Sequence, residues 1–144
     1  MLTIGKLSHA TGVKVPTIRY YEQIGLMPAP IRSSGNQRHY DRAAQERLGF
    51  IRHARDLGFP LEAIRELLTL SDDPQGACAM ADDIARRQLA AVEARITRLT
   101  ALKTEFERML AHRPSGSAAE CRVIRVLSDH GLCSHDHARE DAAP

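Results

Sequence analysis

From about Ala79 to His112 the chain contains no proline and no glycine, while Ala85, Leu89, Val92, Ile96, Leu99, Lys103, Phe106 and Leu110 recur in steps of four and three. That rhythm is the seam of a coiled coil sustained over about four heptads. A helix of that length runs about 50 Å, more than a small domain buries by itself. Its apolar stripe therefore demands a partner, most simply the same helix of a second copy. Lys103 weakens the seam locally, with Leu102 beside it to cover the gap.

The rest of the chain must fit around this helix. With 144 residues there is room for one domain, or one small domain and an appendage. No Trp, three Tyr and three Phe suit a helical Leu/Ile/Ala core better than a large sheet. No run of eighteen apolar residues predicts a membrane span. The N-terminal segment lacks the apolar stretch of a signal peptide, so the expected location is the cytoplasm. Residues 1–70 hold ten Lys/Arg against six Asp/Glu, and residues 71–144 hold ten against twelve. A front half at +4 and a back half at −2 fit a polyanion-binding module joined to something else.

Within the front half, Ile4, Leu7 and Ala10 have helical spacing, with Thr3 as N-cap and Gly12 as stop. After a tight turn, Pro16 suits the first turn of a second helix and Gly25 its end. Two short helices so joined predict a helix-turn-helix whose second member reads DNA. Leu26 to Tyr40, with Pro28, Pro30 and Gly35, predicts a hairpin wing turning at Ser34-Gly35-Asn36. Asp41 opens a third helix to about Leu57, with Ala44, Leu48, Ile51 and Ala54 toward the core. Gly58-Phe59-Pro60 interrupts, and Leu61, Ile64, Leu67 and Leu68 mark a fourth helix. The expected fold is mainly α. It comprises a winged helix-turn-helix domain (1–70), a linker (71–78), a coiled-coil dimerisation helix (79–112) and a C-terminal loop, short helix and tail (113–144).

Thr17-Ile18-Arg19-Tyr20-Tyr21-Glu22, then Arg38-His39-Tyr40, then Ile51-Arg52-His53-Ala54-Arg55-Asp56-Leu57-Gly58-Phe59 resemble the mercury-resistance-regulator (MerR) family. The resemblance runs from Met1 to about His112. It implies a homodimer joined through antiparallel long helices, each copy placing its recognition helix in the major groove of promoter DNA. It further implies that effector binding distorts an overlong promoter spacer so that RNA polymerase engages, as activator or repressor, on the nucleoid. The DNA-facing residues expected on this basis are Lys14 and Thr17 at the recognition-helix N-terminus, Arg19, Tyr20 and Tyr21 along it, and Arg32, Asn36, Arg38 and Tyr40 on the wing. Arg19 suits a phosphate or a guanine edge. At least one of the two tyrosines is expected to serve the core.

Three cysteines, Cys78, Cys121 and Cys133, all lie in the acidic half. In a cytosolic chain they are structural, redox-active or metal-binding, not a disulfide scaffold. Metal sensors of the family place one cysteine at the start of the long helix, where Cys78 falls, and others in the loop after it, where Cys121 falls. Copper(I)-selective members lack the first, so the resemblance implies a divalent ion, namely zinc, cadmium, lead or mercury, over copper(I). The family's further cysteine near the helix end is absent, and His112 stands nearest. The implied ligands are Cys78, His112 and Cys121, with Cys133, His135 and His137 as additional donors and His130 a further one. Cys121 as a small buried residue and His112 as a helix cap stay open. So does a thiol-based sensor of oxidants or electrophiles with Cys78 as the reactive group. Nothing in the sequence forms a nucleophile motif, a phosphate loop or a catalytic carboxylate pair, so no enzyme is expected.

Overall fold

Thr3 opens the first helix, α1 (Ile4–Thr11), by accepting the Lys6 amide on its hydroxyl, and Gly12 closes it at φ 74°. The computed structural model describes residues 1–111, 116–129 and 131. Helix α2 (Val15–Gln23) follows with Pro16 in its first turn and no side chain capping its start. A two-stranded antiparallel hairpin comes next, β1 (Ile31–Arg32) and β2 (Arg38–His39), with Ile31 opposite His39 and Arg32 opposite Arg38. Its turn closes through the Asn36 amide on the Ser33 carbonyl at 2.8 Å, and Asn36 takes the left-handed conformation at φ 61°. Asparagine tolerates that region better than most residues. Beyond β2, Tyr40 and Leu2 exchange both backbone hydrogen bonds at 2.8 Å, so the N-terminus is pinned to the base of the wing.

Helix α3 (Arg42–Asp56) begins where the Asp41 carboxylate accepts the Ala44 amide at 2.9 Å. Helix α4 (Leu61–Ser71) starts after the turn at Gly58. The four α3 positions expected in the core, Ala44, Leu48, Ile51 and Ala54, are all buried. Around them lie Leu7, Val13, Ile18, Tyr21, Leu26, Met27, Tyr40, Ile64 and Leu68. Leu26 and Met27, read from the sequence as loop, are 1% exposed, because the chain after α2 folds inward before the two prolines carry it out to the wing.

The long helix is α5 (Cys78–Leu110), 33 residues. It starts one residue before the expected Ala79 and ends two short of His112, the usual margin for helix ends. Two compact units divide along it, one over Met1–Gln88 and one from Leu89 onward. In the first, Ile84 is buried, Arg87 pairs with Glu66 at 3.2 Å and Gln88 donates to the Leu57 carbonyl at 3.2 Å. In the second, a 3-10 turn (Ala118–Glu120) precedes α6 (Arg122–Ser128), and Met109 and Val126 are buried. The seam is bare. Leu89, Val92, Ile96, Leu99, Phe106 and Leu110 are 38 to 72% exposed.

Leu48 is completely buried at the middle of the first unit's core. Leu48→Ala is expected to cost about 2–5 kcal/mol, read as a lower urea midpoint for loss of helical circular dichroism.

Candidate DNA-binding surface and sensor residues

Helix α2 has two unlike faces. Ile18 and Tyr21 turn into the core, whereas Lys14, Arg19 and Tyr20 are exposed and Thr17 half-buried. Of the expected tyrosine pair, Tyr20 is therefore the outward one. Tyr21 is corrected to a core residue, since three positions after Ile18 it falls on the same inward stripe. At the wing, Arg32 and Asn36 are exposed, and Arg32 donates to the Asn36 carbonyl at 3.2 Å.

Arg38 and Tyr40 behave otherwise. Arg38 lies 2.6 Å from one oxygen of Glu22, and the Tyr40 hydroxyl donates to the other at 3.0 Å. Tyr40 is 2% exposed, so its expected role as a phosphate anchor is corrected to that of a buried strut. Arg38 is half-buried, and its guanidinium is engaged by the same internal carboxylate. The sequence reading missed Glu22 as a site residue. Its signal was there, a lone carboxylate within a basic segment.

Most of the front half's cations are similarly engaged. Arg52 donates to the Gly12 carbonyl, Arg65 to that of Ile24 at 2.8 Å, and Arg47 to that of Leu26 at 2.9 Å and to Asp72 at 3.1 Å. Arg55 donates to the Phe59 carbonyl at 3.0 Å. Among the described residues, Lys6, Lys14 and Arg19 are the cations of this half without a protein partner. Two of those three lie on or beside α2.

Cys78 is exposed in the first turn of α5, and Cys121 is half-buried at the start of α6; neither forms a disulfide. His112, His130, Cys133, His135 and His137 lie outside the described residues. Among the described residues no three His, Cys, Asp or Glu side chains gather into a metal-holding group. No helix among them is long and apolar enough to cross a membrane.

An exposed helix face, a basic turn and a wing on one small core define a winged helix-turn-helix protein. Residues 2–70 match the family described as MerR HTH family regulatory protein, and residues 45–109 match MerR, DNA binding. The chain is 42% identical over 134 residues to the HTH-type transcriptional regulator ZntR of Escherichia coli K12, spanning 88% of this chain and 92% of that one. It is 36% identical over 128 residues to the mercuric resistance operon regulatory protein of Serratia marcescens, spanning 88% and 87%. Its fold is similar to that of the transcription regulator PbrR691 from Ralstonia metallidurans CH34 in complex with lead(II), with a TM-score of 0.77, 35% identity and coverage of 88% and 99%. The chain belongs to the MerR family: it is a DNA-binding transcription regulator and not an enzyme.

Burial lifts the Tyr40 phenol above its ordinary value of 10.0, and the adjoining Glu22 carboxylate adds to the shift. An unfolded tyrosine loses its proton near pH 10 while the folded one retains it, so this contribution to stability is whole below pH 10 and fades as pH rises through the folded value. Thermal melts from pH 9 to 11.5 are expected to fall less steeply for Tyr40→Phe than for the wild type.

Proposed function

We infer that this regulator works as a homodimer on promoter DNA and is switched by a thiophilic, divalent metal ion. The observation that carries the metal is the donor set: two unpaired thiols, Cys78 opening α5 and Cys121 between the 3-10 turn and α6. Soft thiolates suit zinc, cadmium, lead or mercury, and copper(I) less in this arrangement. The relatives support it, one being a mercuric resistance regulator and another a regulator bound to lead(II). Cys78 from one copy, with Cys121 and His112 from the other, would hold the ion; Cys133, His135 and His137 supply further donors. Bound there, the metal would cross-link deprotonated thiols and so favour one shape of the dimer.

The division of labour follows the chain: DNA reading in 1–70, a linker at 71–78, dimerisation through 79–112 and effector binding in 113–144. Lys14, Thr17, Arg19 and Tyr20 address the duplex from α2, and Arg32 and Asn36 from the wing. The uncapped start of α2 adds amides and a positive dipole end toward phosphate. Metal binding redistributes the dimer between two forms that deform the promoter differently, and RNA polymerase reads the difference. This activity belongs in the cytoplasm, on the nucleoid.

The exposed seam carries the dimer. Val92→Asp places a charge in the middle of the stripe and is expected to give monomers in sedimentation velocity; an intact dimer would relocate the interface.

Metal sensing is tested with the reduced protein by competition against a chromophoric chelator, comparing zinc, cadmium, lead, mercury and copper(I). Loss of a mere outer-sphere contact costs 10- to 100-fold, so Cys78→Ser and Cys121→Ser are each expected to weaken divalent binding by at least about 100-fold. Binding of copper(I) alone, indifferent to Cys78→Ser, would overturn the divalent assignment. Absence of tight binding to any of the five would overturn metal sensing. It would favour the thiol-reactive alternative, which the exposure of Cys78 allows and its alkylation would report.

A further inference from the structure

Glu22 is the penultimate residue of α2, and its two carboxylate oxygens are both engaged by the wing. Arg38 in β2 lies 2.6 Å from one, and the Tyr40 hydroxyl, just beyond β2, lies 3.0 Å from the other. The Glu22 side chain is 9% exposed and that of Arg38 30%. Tyr40 is fixed in turn by its paired backbone bonds to Leu2, and Arg38 by its place opposite Arg32. A single carboxylate thus ties the recognition helix to a hairpin 16 and 18 residues downstream.

For a protein that merely grips phosphates this arrangement is costly. It sets a carboxylate on the helix that bears Arg19, and it draws the Arg38 guanidinium away from DNA. The gain is geometric. Helix and wing each contact a duplex productively in a limited register, and contacts that position the protein differ from those that read sequence. A fixed helix-to-wing spacing lets both sets form together only when base edges lie in the right place.

We propose that Glu22 is a specificity-determining positioning residue. It acts through Arg38 and Tyr40, holding the wing at one distance from α2 and keeping a phosphate-seeking cation out of use. The inference rests on the DNA-reading function assigned to α2 and the wing. Glu22→Gln keeps the shape of the side chain and removes its charge. A neutral amide oxygen holds Arg38 more weakly than the carboxylate does, and at 30% exposure the guanidinium has a path to solvent. The variant therefore combines a looser wing with one additional mobile cation.

The experiment uses the full chain and two labelled duplexes about 30 base pairs long, enough for two half-sites one turn or more apart. One is the sequence the wild-type protein selects from a randomised pool, the other a random sequence. Anisotropy titrations across a salt series give both affinities. For Glu22→Gln the selected duplex is expected to bind about tenfold more weakly. The random duplex should bind as well as before or several-fold better, with a salt slope steeper by about one. Arg38→Met removes the charged link of the tie without releasing a cation, so it should weaken the selected duplex and leave the random one no tighter. It also decides the matter should Glu22→Gln fail to fold by circular dichroism.

A preference for the selected duplex kept within about twofold in both variants would overturn the proposal, against the several-kilocalorie span typical of specific over non-specific binding. So would an equal loss on both duplexes, which marks a purely structural role. If the wild-type protein selects no sequence at all, the DNA-reading assignment itself fails, and that result is separate from any behaviour of the variants.

Discussion

Two very short helices form the DNA-reading element, and each ends in carbonyls its own backbone does not satisfy. Helices of eight and nine residues are marginal in isolation. Guanidinium groups from the helices that follow complete them: Arg52 of α3 at the Gly12 carbonyl, Arg65 of α4 at that of Ile24, and Arg47 of α3 at that of Leu26. A cation at a helix C-terminus is favoured by both the dipole and the orphan carbonyls. The same side chains fix where α1 and α2 end relative to α3 and α4. Gly12 shows how closely: a Cβ there would lie 2.9 Å from the Arg52 guanidinium, at a φ of 74° that side chains rarely adopt. The recognition helix is thus presented by what lies behind it.

This accounts for which features were legible in the sequence. Local devices were: the Thr3 and Asp41 caps, the Gly12 stop, the turn at Asn36 and the inward stripe of α3 each depend on residues within four positions of one another. Long-range pairings were not. Arg47, Arg52 and Arg65 enter the sequence argument only as three of the ten Lys/Arg of residues 1–70. Their partners are carbonyls 21 to 41 residues away, which no spacing reveals. Tyr40 read as a DNA contact for the same reason: its partner, Glu22, lies on another element. Leu26 and Met27 were masked by the prolines after them. Family resemblance named a segment without dividing its exposed members, such as Arg19 and Tyr20, from buried ones such as Tyr21 and Tyr40, and that division comes from the packing.

The bare stripe of α5 makes a different kind of statement. In the first unit Ile84 is buried and Gln88 bonds to the Leu57 carbonyl, so the start of the helix is already held. In the second, Glu105 and Met109 are buried while Leu99, Phe106 and Leu110 stay exposed on the remaining face. The helix therefore has two apolar jobs along one length, and its own chain fulfils one of them. Six large apolar side chains left open in heptad register exceed the scattered exposure usual for a monomer. A second copy is the simplest occupant because it brings the identical stripe.

Dimerisation and sensing then become one problem. A thiophilic divalent ion in a closed protein site is commonly held by three or four donors. The described residues of a single chain offer two thiols, and no three His, Cys, Asp or Glu side chains among them gather into one group. Under the proposed reading, the shortfall is met by residues beyond the described ones and by a second copy, each bringing donors the other lacks. A site shared in this way binds tightly only in a particular arrangement of the two copies. The free energy of metal binding is therefore, in part, free energy for that arrangement. Under the same reading, an arrangement of the two copies favoured by the metal would bear on the spacing of their recognition elements on the duplex.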